Sequence, residues 1–166
     1  MKTHEIFLIL ILVTSCGGGS SSSDNQTSLP ITQPPDSTNE TCINTQVSNL
    51  SRCNLIHDGA ERFYYIYEPS NLDINSSIPV LFAFHGYGSS AMRHLNYTNY
   101  FPLADSNNFI VIYPQGATTA TLSTHWNVGG WTSKSTINDL DFVDTVISLL
   151  KDKIQIDETP QEIIIN

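Results

Sequence analysis

PVLFAFHGYG, residues 79–88, is an apolar run that ends abruptly in His85-Gly86-Tyr87-Gly88. Val80–Phe84 reads as a buried strand: short, apolar on both faces and bounded by punctuation. The glycines that follow let the backbone turn sharply and leave an N–H group unpaired. An exposed amide at the carboxyl end of a parallel strand is suited to holding a developing oxyanion. One segment therefore implies both a fold and a chemistry of acyl transfer.

Upstream, Cys53–Ile56 and Arg62–Tyr67 flank His57-Asp58-Gly59, and Asp-Gly between strand-like runs predicts a hairpin. Downstream, Ser89-Ser90 is placed to cap a helix from Ala91. Pro102 predicts a second short helix that ends near Asp105. Phe109–Tyr113, FIVIY, predicts another strand apolar on both faces, closed by Pro114-Gln115-Gly116. A long loop runs to Thr136, where Thr136-Ile137-Asn138-Asp139 resembles a capping box. The helix after it carries Leu140, Val143, Ile147, Leu150 and Ile154 on one face, with Phe142, Val146 and Leu149 widening the stripe. Lys151 and Lys153 suit the dipole of its last turn. Glu162–Ile165 predicts one more strand.

The order hairpin, strand, helix, strand, helix, strand predicts an α/β fold with a mostly parallel sheet. Sites in such sheets lie at the carboxyl ends of the strands. Two loops leave that edge: His85–Ser90 and Pro114–Ser135, which carries His125-Trp126-Asn127 and Gly129-Gly130-Trp131. A third would follow the final strand.

The chain has 166 residues and a formal charge of −9, with 7 Lys+Arg against 16 Asp+Glu. No basic cluster is present, which excludes a nucleic-acid partner. Ile6–Val13 is an apolar core of signal-peptide length, too short to span a bilayer. Val13-Thr14-Ser15-Cys16 resembles a bacterial lipobox in which Cys16 takes the lipid; the alternative is an ordinary signal peptide with a chance cysteine. Residues 1–16 are then a lipoprotein signal. Residues 17–41, rich in Gly, Ser, Thr, Pro and Asn, are a flexible tether reaching roughly 25–30 Å. Residues 42–166 are the folded domain. Loss of the leader removes Lys2 and Glu5 together, so the charge stays at −9.

With Cys16 lipidated, Cys42 and Cys53 remain as an even pair in an oxidising compartment. A bridge between them contributes about 3 kcal/mol on the loop-entropy model; the alternative is two free, buried thiols. The Asn75-Ser76-Ser77 and Asn96-Tyr97-Thr98 triplets are expected by chance in so polar a chain, and a lipobox argues against glycosylation.

Taken in order, HGYGSSA (85–91), LADSNNFIVIYPQG (103–116), HWNVGGW (125–131), NDLDFVDTVISLL (138–150) and EIIIN (162–166) resemble the polyhydroxybutyrate depolymerase-like secreted esterases of the α/β-hydrolase fold. Feruloyl and acetyl-xylan esterases belong to the same broad group. The resemblance covers Arg62–Asn166. It implies an α/β-hydrolase three-layer sandwich of which this chain holds the first half. In that family the strand matching Glu162–Ile165 leads into a Gly-x-Ser-x-Gly nucleophile elbow, with the acidic residue and the catalytic His later. The sequence contains no Gly-x-Ser-x-Gly. No triad member is assigned, and the 166 residues alone are expected to be inactive.

The resemblance carries over one catalytic feature. The backbone N–H of Tyr87 is an oxyanion donor, with Gly86 and Gly88 permitting the turn; Gly86→Val is expected to matter more than changes of the Tyr87 side chain. His85 is read as structural, shaping the loop. His125 and Trp131 are candidates to line the substrate, against an exposed loop histidine and an aromatic covering the sheet edge. Trp126 is read as packing, His57 as a turn residue and His94 as helix surface. Asp139 matches the second Asp of the family's Asp-Asp-Val-Gly-Phe stretch, although Asn138 and Asp141 depart from it; it is read as holding the helix start. A solvated or capping acidic turn is favoured over a cation site from Asp139, Asp141 and Asp144.

The expectation is a serine carboxylesterase on the bacterial cell envelope, held to the outer membrane by lipid on Cys16 or extracellular. Its substrate would be a polyester or a polysaccharide-linked ester. No metal or organic cofactor is implied. The alternatives are a non-catalytic lipoprotein binding carbohydrate or polymer, and a peptidase of the same fold.

Overall fold

β5 (Ile110–Pro114) is buried along its whole length, and the rest of the fold is built on its two faces. Ile110 and Ile112 point into one apolar cluster, with Leu55, Tyr64, Ile66 and Ile78. Val111 and Tyr113 alternate into the other, with Leu50, Tyr67 and Ala83. Period-two alternation with both faces apolar requires a cover on each side. Helix α3 (Asp139–Lys151) supplies Phe142, Val146 and Leu150 to the first cluster. Helices α1 (Ala91–Thr98) and α2 (Phe101–Asn107) supply Ala91, Leu95 and Ala104 to the second. The result is three layers, helix on sheet on helix, so the fold is α/β. Burying each large aliphatic side chain in these clusters contributes about 1.5–3 kcal/mol.

The computed structural model describes residues 40–120 and 122–157. The expected leader, Cys16, nearly all of the tether, and the strand Glu162–Ile165 lie outside the described residues. Among the described residues no helix is long and apolar enough to cross a membrane.

The remaining strands are β1 (Thr41–Asn44), β2 (Leu50–His57), β3 (Ala60–Tyr67) and β4 (Val80–Phe82), in the sheet order β1-β2-β3-β5-β4. The expected hairpin is present: β2 and β3 pair antiparallel, joined by Asp58 (φ 50°) and Gly59 (φ 71°). Positive φ at both turn residues matches the right-handed twist of the strands. The expectation of a mostly parallel sheet is corrected for these strands. β1–β2, β2–β3 and β3–β5 are antiparallel, and only β4–β5 is parallel. The physical reason is connectivity: parallel neighbours need a crossover, and the described chain places one, α1 with α2, between β4 and β5.

β4 is only half-buried, because β5 flanks it on one edge alone among the described strands. Beyond α3 the chain returns to the entry of β4. Ile78 N–H donates to Gln155 O at 2.9 Å and Asp157 N–H donates to Ile78 O at 2.9 Å, forming a parallel bridge.

Local signals set the helix starts. Ser90 caps α1, its side chain accepting from Arg93 N–H. Pro102 lies in the first turn of α2, where a missing N–H costs nothing. The capping box at Thr136 is not formed; the cap of α3 is Asn138, whose Oδ1 accepts from Asp141 N–H at 3.2 Å. The buried stripe runs through Asp139, Phe142, Val146 and Leu150. Leu140, expected to open that stripe, is 78% exposed. Asp139 is held inside by Arg62, which rotates the next residue outward.

Candidate active site

His85 follows β4 as the chain leaves the sheet and is 2% exposed. Its Nε2 accepts from Gly116 N–H at 2.9 Å, so its Nδ1 carries the proton and donates to Gly86 O at 2.8 Å. Burial lowers its pKa, which favours this neutral form. Gln115 sits beside it, with Nε2 at 3.1 Å from His85 Nε2 and Oε1 accepting from Ala91 N–H at 2.9 Å. The loops after β4 and β5 are thereby joined. Only glycine fits at 116: a Cβ there would meet His125 O at 2.5 Å and the His85 ring at 3.1 Å.

Gly86, Tyr87 and Gly88 form an exposed tip. Ser89 N–H closes a turn on Gly86 O at 3.1 Å, and Gly88 N–H donates to Thr124 O at 2.8 Å. Gly88 has φ +71°, as the third residue of a type II turn requires. Among the described residues nothing accepts from Tyr87 N–H. Gly86 is a correction: it lacks a positive φ and a Cβ on it would touch nothing within 4 Å. The turn depends on Gly88.

The second loop packs behind this tip. Trp126 Nε1–H donates to His85 O at 2.8 Å, and its ring stands edge-on to Phe84 at 5.0 Å. Packing is therefore its role. Asn127 N–H donates to Asp139 Oδ2 at 2.7 Å, while its side-chain amide donates to Ser135 O and Ile137 O. Asp139 takes Arg62 Nη2 at 2.7 Å, and the guanidinium lies 4.0 Å over the Phe142 ring. Thr132 Oγ1 donates to Gly129 O and accepts from Val128 N–H. These bonds carry Trp131 on a short 3₁₀ turn, Gly130–Thr132. Its ring meets that of Tyr87 at 4.9 Å, nearly perpendicular, with both residues more than half exposed.

His125 is a correction. It is 1% exposed, and its ring nitrogens bond to Ser123 O at 2.9 Å and Ser135 Oγ at 3.0 Å. It locks the loop from within and presents nothing to an open pocket. Sequence reasoning missed Ser135, which has nucleophile–base spacing to His125. Both are buried, and Ser135 Oγ also accepts from Ile137 N–H; a substrate carbonyl has no approach to that oxygen. His57 is more than a turn residue: its Nε2 lies 2.8 Å from Asp141 Oδ2, joining the hairpin to α3. Asp139, Asp141 and Asp144 are not brought together, since Asp139 faces Arg62 and Asp141 faces His57. Cys42 and Cys53, directly opposed across β1 and β2, are disulfide-bonded.

No family model matches this chain. A curated relative, the bifunctional acetylxylan esterase/xylanase XynS20E of Neocallimastix patriciarum, is 35% identical over 99 residues. That match covers 60% of this chain and 13% of the relative, so the chain spans about an eighth of that protein's length. Two solved structures are similar at low scores. S-formylglutathione hydrolase FrmB from Staphylococcus aureus has a TM-score of 0.42 and 13% identity, over 72% of this chain and 43% of that one. A ferulic acid esterase from Anaeromyces mucronatus, solved with ferulic acid, has a TM-score of 0.40 and 14% identity, over 73% and 44%. Two of these names are esterases and one is a hydrolase.

Other residues central to this edge had only weak sequence signals. Gln115 and Gly116 read as strand punctuation, yet they join the two loops. Arg62 read as part of a strand, yet it anchors the second loop through Asp139. A lone buried arginine has no local signature; its partner is 77 residues away. A cleft of about 550 Å³ opens at the same sheet edge, lined by His57, Phe63, Ser90, Gln115, Thr124 and Asn138 among others. Tyr87 and Trp131 are not among its lining residues.

Proposed function

We propose that this chain is the N-terminal part of a serine carboxylesterase, in which Tyr87 N–H is one donor of the oxyanion hole. The observation that carries the reading is the Gly88-centred turn beside β4, which leaves Tyr87 N–H without an acceptor among the described residues. A backbone donor held in place before reaction stabilises the tetrahedral oxyanion without reorganisation. The serine, its histidine and the acidic residue are proposed to lie in sequence following Asn166. The serine oxygen attacks the ester carbonyl as histidine takes its proton, and the alcohol leaves with that proton. Water then releases the acid and restores the serine.

The acetylxylan esterase/xylanase relative supports a polysaccharide-linked ester such as acetylxylan as substrate. Exposed aromatic rings beside the donor fit a sugar ring or a planar acyl group. A polyhydroxyalkanoate is the narrower reading that the sequence resemblance supports. Lipidation at Cys16 would place the enzyme on the cell envelope, facing such polymers. The test is hydrolysis of p-nitrophenyl acetate, acetylated xylan and methyl ferulate by the product of the complete reading frame. Saturable turnover of at least one supports the proposal, and turnover by residues 1–166 alone contradicts it.

A further inference from the structure

We infer that His85 and Trp131 are positioning residues that together aim the Tyr87 N–H; the inference rests on the oxyanion reading above. The Gly86–Tyr87 peptide is planar, so its C=O and N–H point in opposite directions. Whatever holds Gly86 O therefore fixes the direction of Tyr87 N–H. Gly86 O takes His85 Nδ1–H at 2.8 Å and Ser89 N–H at 3.1 Å. His85 is itself fixed, because Gly116 N–H on its Nε2 leaves Nδ1 as the protonated nitrogen. A ring flipped or in the other tautomer could not donate to Gly86 O. The direction of the exposed amide is thus set by a buried imidazole one residue earlier.

The second grip is on the side chain. Gly86 and Gly88 flank Tyr87 and give its peptide freedom that other residues would not. Trp131 restricts that freedom from the opposite loop, with its ring nearly perpendicular to Tyr87 at 4.9 Å. The loop carrying Trp131 is anchored through Asn127 and Asp139 to Arg62. The oxyanion donor is accordingly tied to the buried Arg62–Asp139 ion pair. His85 touches Gly86 and Trp131 touches Tyr87; both act on the reaction only through that peptide.

The test uses ¹⁵N relaxation on the full chain, with variants W131A, H85A and H85N. The expected order parameter of Tyr87 N–H is about 0.85 in the wild type and below about 0.6 in W131A and H85A. H85N keeps a donor at the δ position and is expected to stay near the wild type. Trp131 is a surface residue, so W131A decides the outcome if H85A fails to fold. An unchanged Tyr87 order parameter in W131A overturns the inference. In the complete gene product, W131A is expected to lower kcat for p-nitrophenyl acetate roughly tenfold at constant KM, a fraction of the loss for deleting an oxyanion donor. A raised KM at constant kcat would mean that Trp131 binds substrate and does not position the donor. No hydrolysis by the wild type, with the relaxation pattern intact, would remove the oxyanion role and leave the two grips as loop structure.

Discussion

Arg62 Nη2 lies 2.7 Å from Asp139 Oδ1, and both side chains are 6% exposed. This pair joins β3 to the start of α3 and, through Asn127, holds the loop that carries Trp131. Removing one partner of a buried pair strands the other charge, which costs about 3–5 kcal/mol. D139A is therefore expected to lose about that much stability in urea titration, with loosening of the second loop. A loss below about 1 kcal/mol, the range of exposed pairs, would show that the guanidinium is solvated and not locked.

Three glycines at the sheet edge are expected to behave differently. G116A forces a Cβ against His125 O and the His85 ring, and overpacking of this kind costs about 1–3 kcal/mol. G88A places a side chain at φ +71°, a strain of about 1–2 kcal/mol. G86A has open space and an ordinary φ, so its stability should match the wild type. Thermal melts of the three variants check the ranking. A G86A as damaging as G116A would contradict the packing described.

The pH dependence follows from His85. Burial, the largest cause, lowers its pKa in the folded protein, against opposing contributions from the Gly86 carbonyl and Asp139. The unfolded chain then binds the proton first as pH falls. Stability from this group is complete above about pH 6.5 and is lost progressively below it. His94 is lowered in the same direction, by burial first and His85 second. Between pH 7.5 and 5, H85N should show a shallower fall of Tm than the wild type, with H94Q intermediate. Parallel curves for all three would exclude His85 as the source.

Much of the fold was legible because its signals are local. Asp58-Gly59 specified a hairpin turn by its tolerance of positive φ, Ser90 specified a cap, and FIVIY specified a strand covered on both faces. The phase of α3 was not legible. Leu140 is as apolar as the stripe requires, but Arg62 pulls Asp139 inward and turns Leu140 to solvent. The burial of His125 was hidden for a related reason. Its partners are the backbone of Ser123 and the hydroxyl of Ser135, which have no distinctive pattern in sequence. The candidate donor at Tyr87 was legible as a turn, but the glycine that makes it is Gly88 and not Gly86.

In the proposed function, Tyr87 N–H, presented by the Gly88 turn, stabilises an oxyanion during ester hydrolysis. The most direct measurement is kcat and KM for p-nitrophenyl acetate with the complete gene product, wild type against G88V. Saturable hydrolysis by the wild type is expected, with a fall in kcat of about 10²–10³ in G88V and KM little changed, the loss expected for one oxyanion donor. Equal kcat in the folded G88V protein, or a wild type that hydrolyses no ester, would contradict it.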